Sequence, residues 1–311
     1  MRYADVEGIG PCSQLVLGTM AFSPDNMDQA RTLLDAFVDL GGNTLDTAHV
    51  YGGGRSERAI GRWLQERGHR DRVVIITKGA HPDRSGPRVT PEAIAGDLGQ
   101  SLERLGVDTV DIYMLHRDDP RLPVGGIMEA LAEHVRAGRV RALGASNWTT
   151  GRIEEANAYA AAHGLPGFVC SSPNLSLAVA REPRWRGCIS AGAEERAWHE
   201  RTGFPLFSWS SQAGGFFTGR YSPEETDDPE MVRVYYTPEN WERLRRAEEL
   251  GREKGVHATQ IALAYVLHQP FPCLALFGPL TTLEFRSSVQ GLDVRLTPGE
   301  VRWLNLESEG R

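Results

Sequence analysis

Short apolar runs alternate with amphipathic helical segments along the whole chain, and this alternation limits the possible folds more than any motif does. The runs stand at residues 15–17, 43–47, 73–77, 109–115, 140–145, 168–170, 206–208 and 273–277. Val73-Val74-Ile75-Ile76-Thr77 is almost continuously apolar, as a parallel strand covered on both faces requires. Between the first two runs Ala30, Leu33, Leu34, Phe37 and Leu40 recur at helical spacing, and Gly41-Gly42 ends the segment. Thr90-Pro91-Glu92 opens a helix to residue 105, and Thr149 opens another that Gly164 closes. Further helices are expected from Ser56 to Gly68 and over 127–137, 191–202, 238–254, 259–269 and 282–291. Eight strands alternating in order with helices, with no break in composition over 311 residues, predict one α/β domain over 1–311, a single (β/α)8 barrel. An open doubly wound sheet is the alternative, but no G-x-G-x-x-G follows the first strand. Residues 209–237 form a long Gly- and acid-rich connection, more typical of a functional lid than of filler, and Thr297-Pro298-Gly299-Glu300 starts a short helix near 297–306.

Composition excludes several function classes. A net charge of -7 without any basic run argues against nucleic-acid binding. Cys12, Cys170, Cys188 and Cys273 are scattered without a C-x-x-C, so reduced thiols and a cytoplasmic location are expected. Residues 1–10 carry charges and no apolar core, so no signal peptide is expected. No apolar stretch approaches the ~20 residues that would span a membrane.

In a (β/α)8 barrel the chemistry gathers where strands exit at their C-terminal ends. Reading those exits in order gives Asp46, Lys78, His116, Ser146-Asn147, Ser172 and Trp209, with Tyr51 in the loop after Asp46. A phenol with a pKa of about 10 is a poor acid at neutral pH. A lysine at ~4 Å would stabilise its phenolate by roughly 4 kcal/mol at an effective dielectric of about 20, before desolvation is subtracted. A buried Lys78 needs a counter-ion, which Asp46 supplies, and His116 could donate to a carbonyl oxygen or relay a proton. Such a group suits a carbonyl that receives hydride.

These residues carry a resemblance that covers nearly the whole chain. L-G-T-M at 17–20, G-G-N-T-L-D-T-A-H-V-Y-G at 41–52, S-E at 56–57, I-T-K at 76–78, D-I-Y-M-L-H at 111–116 and G-A-S-N-W at 144–148 make the chain similar to an aldo-keto reductase. The resemblance implies a catalytic tetrad of Asp46, Tyr51, Lys78 and His116, and a nicotinamide dinucleotide across the barrel mouth, NADP with NAD possible. It implies that Gly18, Thr19, Met20 and Asp46 line the cofactor, that Ser146 and Asn147 bind its carboxamide, and that Trp209 stacks on its ring. Ser172 stands where many members carry Gln, with a shorter reach to the same group. Ser210 would contact the cofactor, and Gln212 and Gly214 would touch its pyrophosphate through the loop. After the last strand Gly278, Leu280 and Thr281 would contact the cofactor, but Gly278-Pro279-Leu280-Thr281 lacks the family's usual basic residue, leaving Arg286 as the nearest candidate for a 2′-phosphate, and Ser287-Ser288 replace the usual Glu-Asn at the adenine.

The implied activity is reduction of an aldehyde or ketone, possibly sugar-like, with Tyr51 as general acid. Phe22, His49 and Trp148, with Tyr51 and His116, are the expected pocket walls; Tyr235, Tyr236 and Trp185 are further candidates. Arg181, Arg184 and Arg186 near Trp185 would admit polar carbonyls. Two other readings stand beside this one. A metal held by Asp46, His49, His116 and Asp118 would make a barrel hydrolase, but leaves Lys78 and Tyr51 unexplained. A nicotinamide-binding sensor or regulatory subunit with little turnover is compatible with the same motifs. His116-Arg117-Asp118 matches a kinase catalytic loop only by accident, since no glycine-rich loop precedes it, and Gly52-Gly53-Gly54 reads as flexible slack after Tyr51.

Overall fold

The computed structural model describes residues 1–311. A hairpin of β1 (Tyr3–Val6) and β2 (Gly10–Ser13) precedes eight parallel strands: β3 (Leu15–Gly18), β4 (Thr44–Asp46), β5 (Val74–Gly79), β6 (Val110–Leu115), β7 (Val140–Ser146), β8 (Phe168–Ser172), β9 (Leu206–Ser208) and β10 (Cys273–Phe277). They pair in chain order, and β10 pairs with β3, so the sheet closes into the barrel that the alternation predicts. Around it run α1 (Met27–Asp39), α2 (Arg55–Arg67), α3 (Pro91–Leu105), α4 (Val124–Arg136), α5 (Thr150–His163) and α6 (Ala193–Thr202). These are followed by α7 (Pro229–Tyr235), α8 (Pro238–Lys254), α9 (Ala258–Leu267), α10 (Thr282–Gln290) and α11 (Pro298–Leu304).

Two apolar layers result from strands that are buried on both faces. A cluster of 69 residues fills the space between sheet and helices, and a second of ten fills the barrel itself. The inner cluster contains Val16, Ile76, Ile112, Met114, Cys170, Phe207, Leu274 and Leu276. Side chains two residues apart on a strand share a face. One step beyond the floor therefore lie Gly18, Lys78, His116, Ser172, Trp209 and Gly278, which is how an apolar plug gives way to a polar mouth.

The hairpin was not anticipated, because its strands are short and its exposed residues hide any alternation. Val6 and Cys12 join the inner cluster, and Ser13 is tied to the start of β4 through Asn43 Oδ1 (2.8 Å) and Thr44 Oγ1 (3.1 Å), so the hairpin closes the base of the barrel. The 209–237 connection is not structureless either. It holds a 3-10 segment, Ala213–Thr218, and α7, and Phe216 from it packs on Trp241 at 4.8 Å.

Ser56 does not cap α2. That helix starts at Arg55 after Gly54 (φ 89), and the buried Ser56 hydroxyl joins Thr19 (2.8 Å) and Thr47 (2.9 Å), tying helix to mouth. Nor are Gly52, Gly53 and Gly54 slack: all three have positive φ (57, 64 and 89) in a defined turn, and a Cβ on Gly54 would lie 2.4 Å from the Arg104 guanidinium. The α2–α3 contact is equally close at Gly61, where a Cβ would meet Arg104 O at 2.4 Å and Leu105 O at 2.8 Å. Gly→Ala inside a helix normally stabilises by up to about 1 kcal/mol. Gly61→Ala should instead destabilise by about 1–3 kcal/mol because the helices must part, whereas Gly96→Ala, with nothing within 4 Å, should stabilise. Urea unfolding of the two variants checks this, and a stabilised Gly61→Ala would contradict it.

Candidate active site

The exits of β4, β5 and β6 bring Asp46, Lys78 and His116 side by side, and the turn after β4 carries Tyr51 over them. Lys78 Nζ donates to both Asp46 oxygens (2.8 and 2.6 Å) and to Thr47 O (2.9 Å), and lies 3.5 Å from Tyr51 Oη. The Tyr51 and His116 rings meet edge-on at 5.7 Å, and His81 packs on the other side of His116 at 4.8 Å. Support comes from behind: Glu57, fully buried, accepts from Thr77 Oγ1 (2.7 Å) and Arg104 (3.1 Å), and Asp97 accepts from Ala80 N (2.9 Å). Both carboxylates thus brace the strand end that presents Lys78.

The electrostatics follow from burial and this one ion pair. Burial alone would lower Lys78, but Asp46 and then Tyr51 outweigh it and hold the ammonium above its ordinary value. Burial raises Asp46 and Lys78 opposes the rise; the twofold contact at 2.6 and 2.8 Å is that of a charged pair. Burial also raises Tyr51, against the pull of Lys78. Lys78 does pull the phenol down, as expected, but the desolvation left out of that expectation is the larger effect. Asp46 neutralises Lys78 at shorter range than Tyr51 feels it, so the phenol keeps its proton at neutral pH. His116 is pushed well below 6.5 by burial and by the charges of Lys78, Arg117 and His81, which makes it a neutral imidazole. Its Nδ1 has no partner in the chain. The arrangement is a protonated phenol beside a neutral hydrogen-bonding ring, backed by a fixed positive charge.

These groups line one cavity of about 1520 Å³ that spans the barrel mouth. Small-molecule pockets run to roughly 1,000 Å³, so it has room for more than a small carbonyl compound. Gly18, Thr19, Met20, Asp46, Tyr51, Lys78, His116, Ser146, Asn147, Trp209, Ser210, Gln212, Gly214, Gly278, Leu280 and Arg286 all lie on its wall. Asn147, at φ 59, is fixed by Trp209 Nε1 (3.2 Å), Ile189 N (3.1 Å) and Ser146 Oγ (3.0 Å).

Five expected contacts are not on that wall. Ser172 lies beneath the Ser146-Asn147 turn, its carbonyl taken by Ser146 Oγ (3.1 Å) and Asn147 N (3.2 Å), and its hydroxyl is buried without a partner. Thr281 caps α10, accepting from Glu284 N at 3.2 Å. Phe22 is in the core, and Trp148 is buried against Phe168 at 5.2 Å. His49 turns outward to Gln100 (3.0 Å) and Asp97 (3.6 Å) on α3. Tyr235, Tyr236, Arg181 and Arg184 are also off the wall, whereas Trp185 and Arg186 are on it. The four side chains suggested for a metal do not converge: Asp46 is held by Lys78, Asp118 by Arg152 (3.1 Å), and His49 faces α3.

The wall fits a dinucleotide. After β9 the backbone is left-handed at Ser210, Ala213, Gly214 and Gly215, a curvature that turns N–H groups toward an anion. A Cβ on Gly214 would lie 2.9 Å from Arg184 and one on Gly215 2.5 Å from Arg220, so both glycines allow a guanidinium to press against the loop. Arg220 lines the cavity and donates to Gly214 O (3.2 Å) rather than to a carboxylate; the sequence reading missed it, as it missed His81, Arg117 and Cys188. Arg117 carried a visible signal, its place directly after His116.

Comparison with known proteins agrees with this architecture. The chain is 28% identical over 306 residues to the uncharacterized oxidoreductase YrpG of Bacillus subtilis, covering 94% of this chain and 91% of that one. It is 30% identical over 310 residues to norsolorinic acid reductase stcV of Emericella nidulans, with 93% and 76% covered. A putative voltage-gated potassium channel subunit beta of Schizosaccharomyces pombe is 28% identical, with 88% and 82% covered. Among solved structures, the thermostable aldo-keto reductase Tm1743 in complex with the inhibitor epalrestat superposes with a TM-score of 0.78 at 22% identity, over 99% of this chain and 100% of that one, a likeness of fold. The Aldo/keto reductase family model matches residues 14–305, nearly the whole barrel, and the chain belongs to that family.

Proposed function

We propose that this oxidoreductase reduces an aldehyde or ketone to its alcohol, with Tyr51 as the proton donor. The observation that carries the reading is a phenol held protonated on the cavity wall, 3.5 Å from a lysine whose charge is locked by Asp46. A reduced nicotinamide supplies the hydride when bound. The neutral ring of His116 donates a hydrogen bond to the carbonyl oxygen and orients it. Tyr51 gives its proton to the developing alkoxide, and Lys78 steadies the phenolate that remains. Asp46 keeps Lys78 in place and charged. The four free, buried cysteines fit a reducing compartment, and we propose the cytoplasm.

We further propose NADP as the cofactor, with NAD as a second possibility. Lys78 on β5 and His116 on β6 lie across the barrel from β9 and β10, and beyond those strands the cavity wall is formed by Ala258 and Thr259 of α9 and by Arg286, Ser287 and Ser288 of α10, which would hold the far end of a dinucleotide. Arg286 lines that side without a carboxylate partner and is available to a 2′-phosphate, but Glu248 and Glu284 line it too. Arg286→Met should lower the ratio of NADPH to NADH affinity about tenfold. Titration of tryptophan fluorescence measures both constants, and an unchanged ratio would remove Arg286 from this role.

Tyr51→Phe should lower kcat/KM about 10²–10⁴-fold on any aldehyde the wild type reduces, while reduced cofactor still binds. Cofactor binding without turnover over a panel of aldehydes, ketones and oxidised sugars would instead leave a nicotinamide-binding regulatory protein. The pH profile follows from the two shifts. A phenol raised above 10.0 stays protonated to higher pH, and a histidine well below 6.5 stays neutral to lower pH. Reductive kcat/KM should therefore be flat between about pH 6 and 8 and fall only in the alkaline range. A steep change centred near neutrality would assign the titrating acid elsewhere.

A further inference from the structure

We propose that the carbonyl compound reduced here carries an anionic group, a carboxylate or a phosphate, and that Arg117 receives it. This rests on the reductase reading above and names the substrate class for the same site.

Arg117 follows His116 at the exit of β6 and lines the cavity, yet it is only 6% exposed. A guanidinium stays charged at every accessible pH. Buried charges are normally paired, and the chain's other buried arginine, Arg246, has Glu242 at 2.7 Å. Arg117 has no carboxylate within ion-pair distance, and the nearby acids are engaged elsewhere: Asp118 with Arg152 at 3.1 Å, Asp119 with Arg121 at 2.8 Å, and Asp83 with Arg88 at 3.5 Å.

What the chain gives Arg117 is position without neutralisation. Nη1 donates to His116 O at 2.7 Å and Nε to Arg186 O at 3.4 Å, and the only further side-chain partner is the Cys188 thiol, a weak and uncharged acceptor. Gly187, at φ 74, packs its backbone on the stem; a Cβ there would lie 3.3 Å from Arg117 Cδ. The fork is thus held beside the ring that orients the carbonyl, with donors left over for two oxygens. Arg186, exposed on the same wall and also unpaired, adds a second positive charge. The cofactor's phosphates are not the missing anion. The left-handed loop that suits them follows β9, which β7 and β8 separate from β6, and Arg184 and Arg220 already press on that loop.

The test compares 4-oxobutanoate with its methyl ester, and glyceraldehyde 3-phosphate with glyceraldehyde. The wild type should favour the anion of at least one pair about 10–100-fold in kcat/KM, and which pair shows it identifies carboxylate or phosphate. Arg117→Met should bring that ratio close to one, and Arg117→Lys should keep part of it. A merely structural arginine would slow both members of a pair together and leave the ratio unchanged, which would overturn the proposal, as would wild-type preference for the neutral compounds. Calorimetric titration of wild type and Arg117→Met with succinate or inorganic phosphate, in the presence of NADPH, gives a readout without turnover. Loss of anion binding in Arg117→Met supports the site even if no aldehyde is reduced; in that case only the reductase reading fails. Reduction of neutral aldehydes with no anion binding and no anion preference removes this inference and leaves the reductase reading standing.

Discussion

The ion pair between Asp46 and Lys78 is the contact on which the mouth of this barrel depends. Each charge is almost fully buried, and a lone ion there would cost several kcal/mol. The strand register makes the pair possible. Asp46 lies opposite Ile76, so Lys78, two residues further on, points from the same face and reaches back across the top of β4. Thr47 O at 2.9 Å takes a third ammonium proton, so the lysine is satisfied on the protein side. Tyr51 at 3.5 Å lies outside that inner set and feels a dipole more than a bare charge, which is why burial decides its titration. A proton donor and a charge that can stabilise its conjugate base are thus held together without the charge being spent in advance.

The fold and this group were legible in the sequence for one physical reason. Strands buried on both faces must be apolar, so the change from Ile76 to Lys78, or from Met114 to His116, marks where the barrel interior ends and the mouth begins. What was not legible depends on direction and on distant partners. His49 has the same local setting as Tyr51, but α3 presents Gln100 and Asp97 to it, and the ring turns outward. Phe22 and Trp148 flank mouth residues in sequence and face the outer core. The three glycines after Tyr51 suggest freedom, whereas all three hold a positive φ and Arg104, about fifty residues away, leaves no room for a Cβ on Gly54. Thr281 was expected among the cofactor contacts because it belongs to the loop after the last strand, but a threonine before a helix is first a cap. The hairpin left almost no pattern, since only one face of so short an element is buried.

The unpaired charges of the cavity are opposite in sign to the net charge of the chain. The protein carries a net charge of -7, yet Arg117, Arg186, Arg220 and Arg286 reach the mouth without carboxylate partners, against only Glu248 and Glu284 among unpaired acids there. Elsewhere arginines are consumed in pairs and networks, such as Arg245 with Glu242 and Glu249. A net negative surface keeps polyanions away, while low-dielectric walls strengthen the local positive field toward a small anion that enters the mouth. The effective range of that field is about 8–10 Å at physiological salt. It therefore acts on molecules already at the rim. Sign and range together suit the proposed reading, in which a dinucleotide lies toward β9 and β10 and an unneutralised guanidinium is left on the β6 side, beside the buried phenol of Tyr51 and the neutral ring of His116.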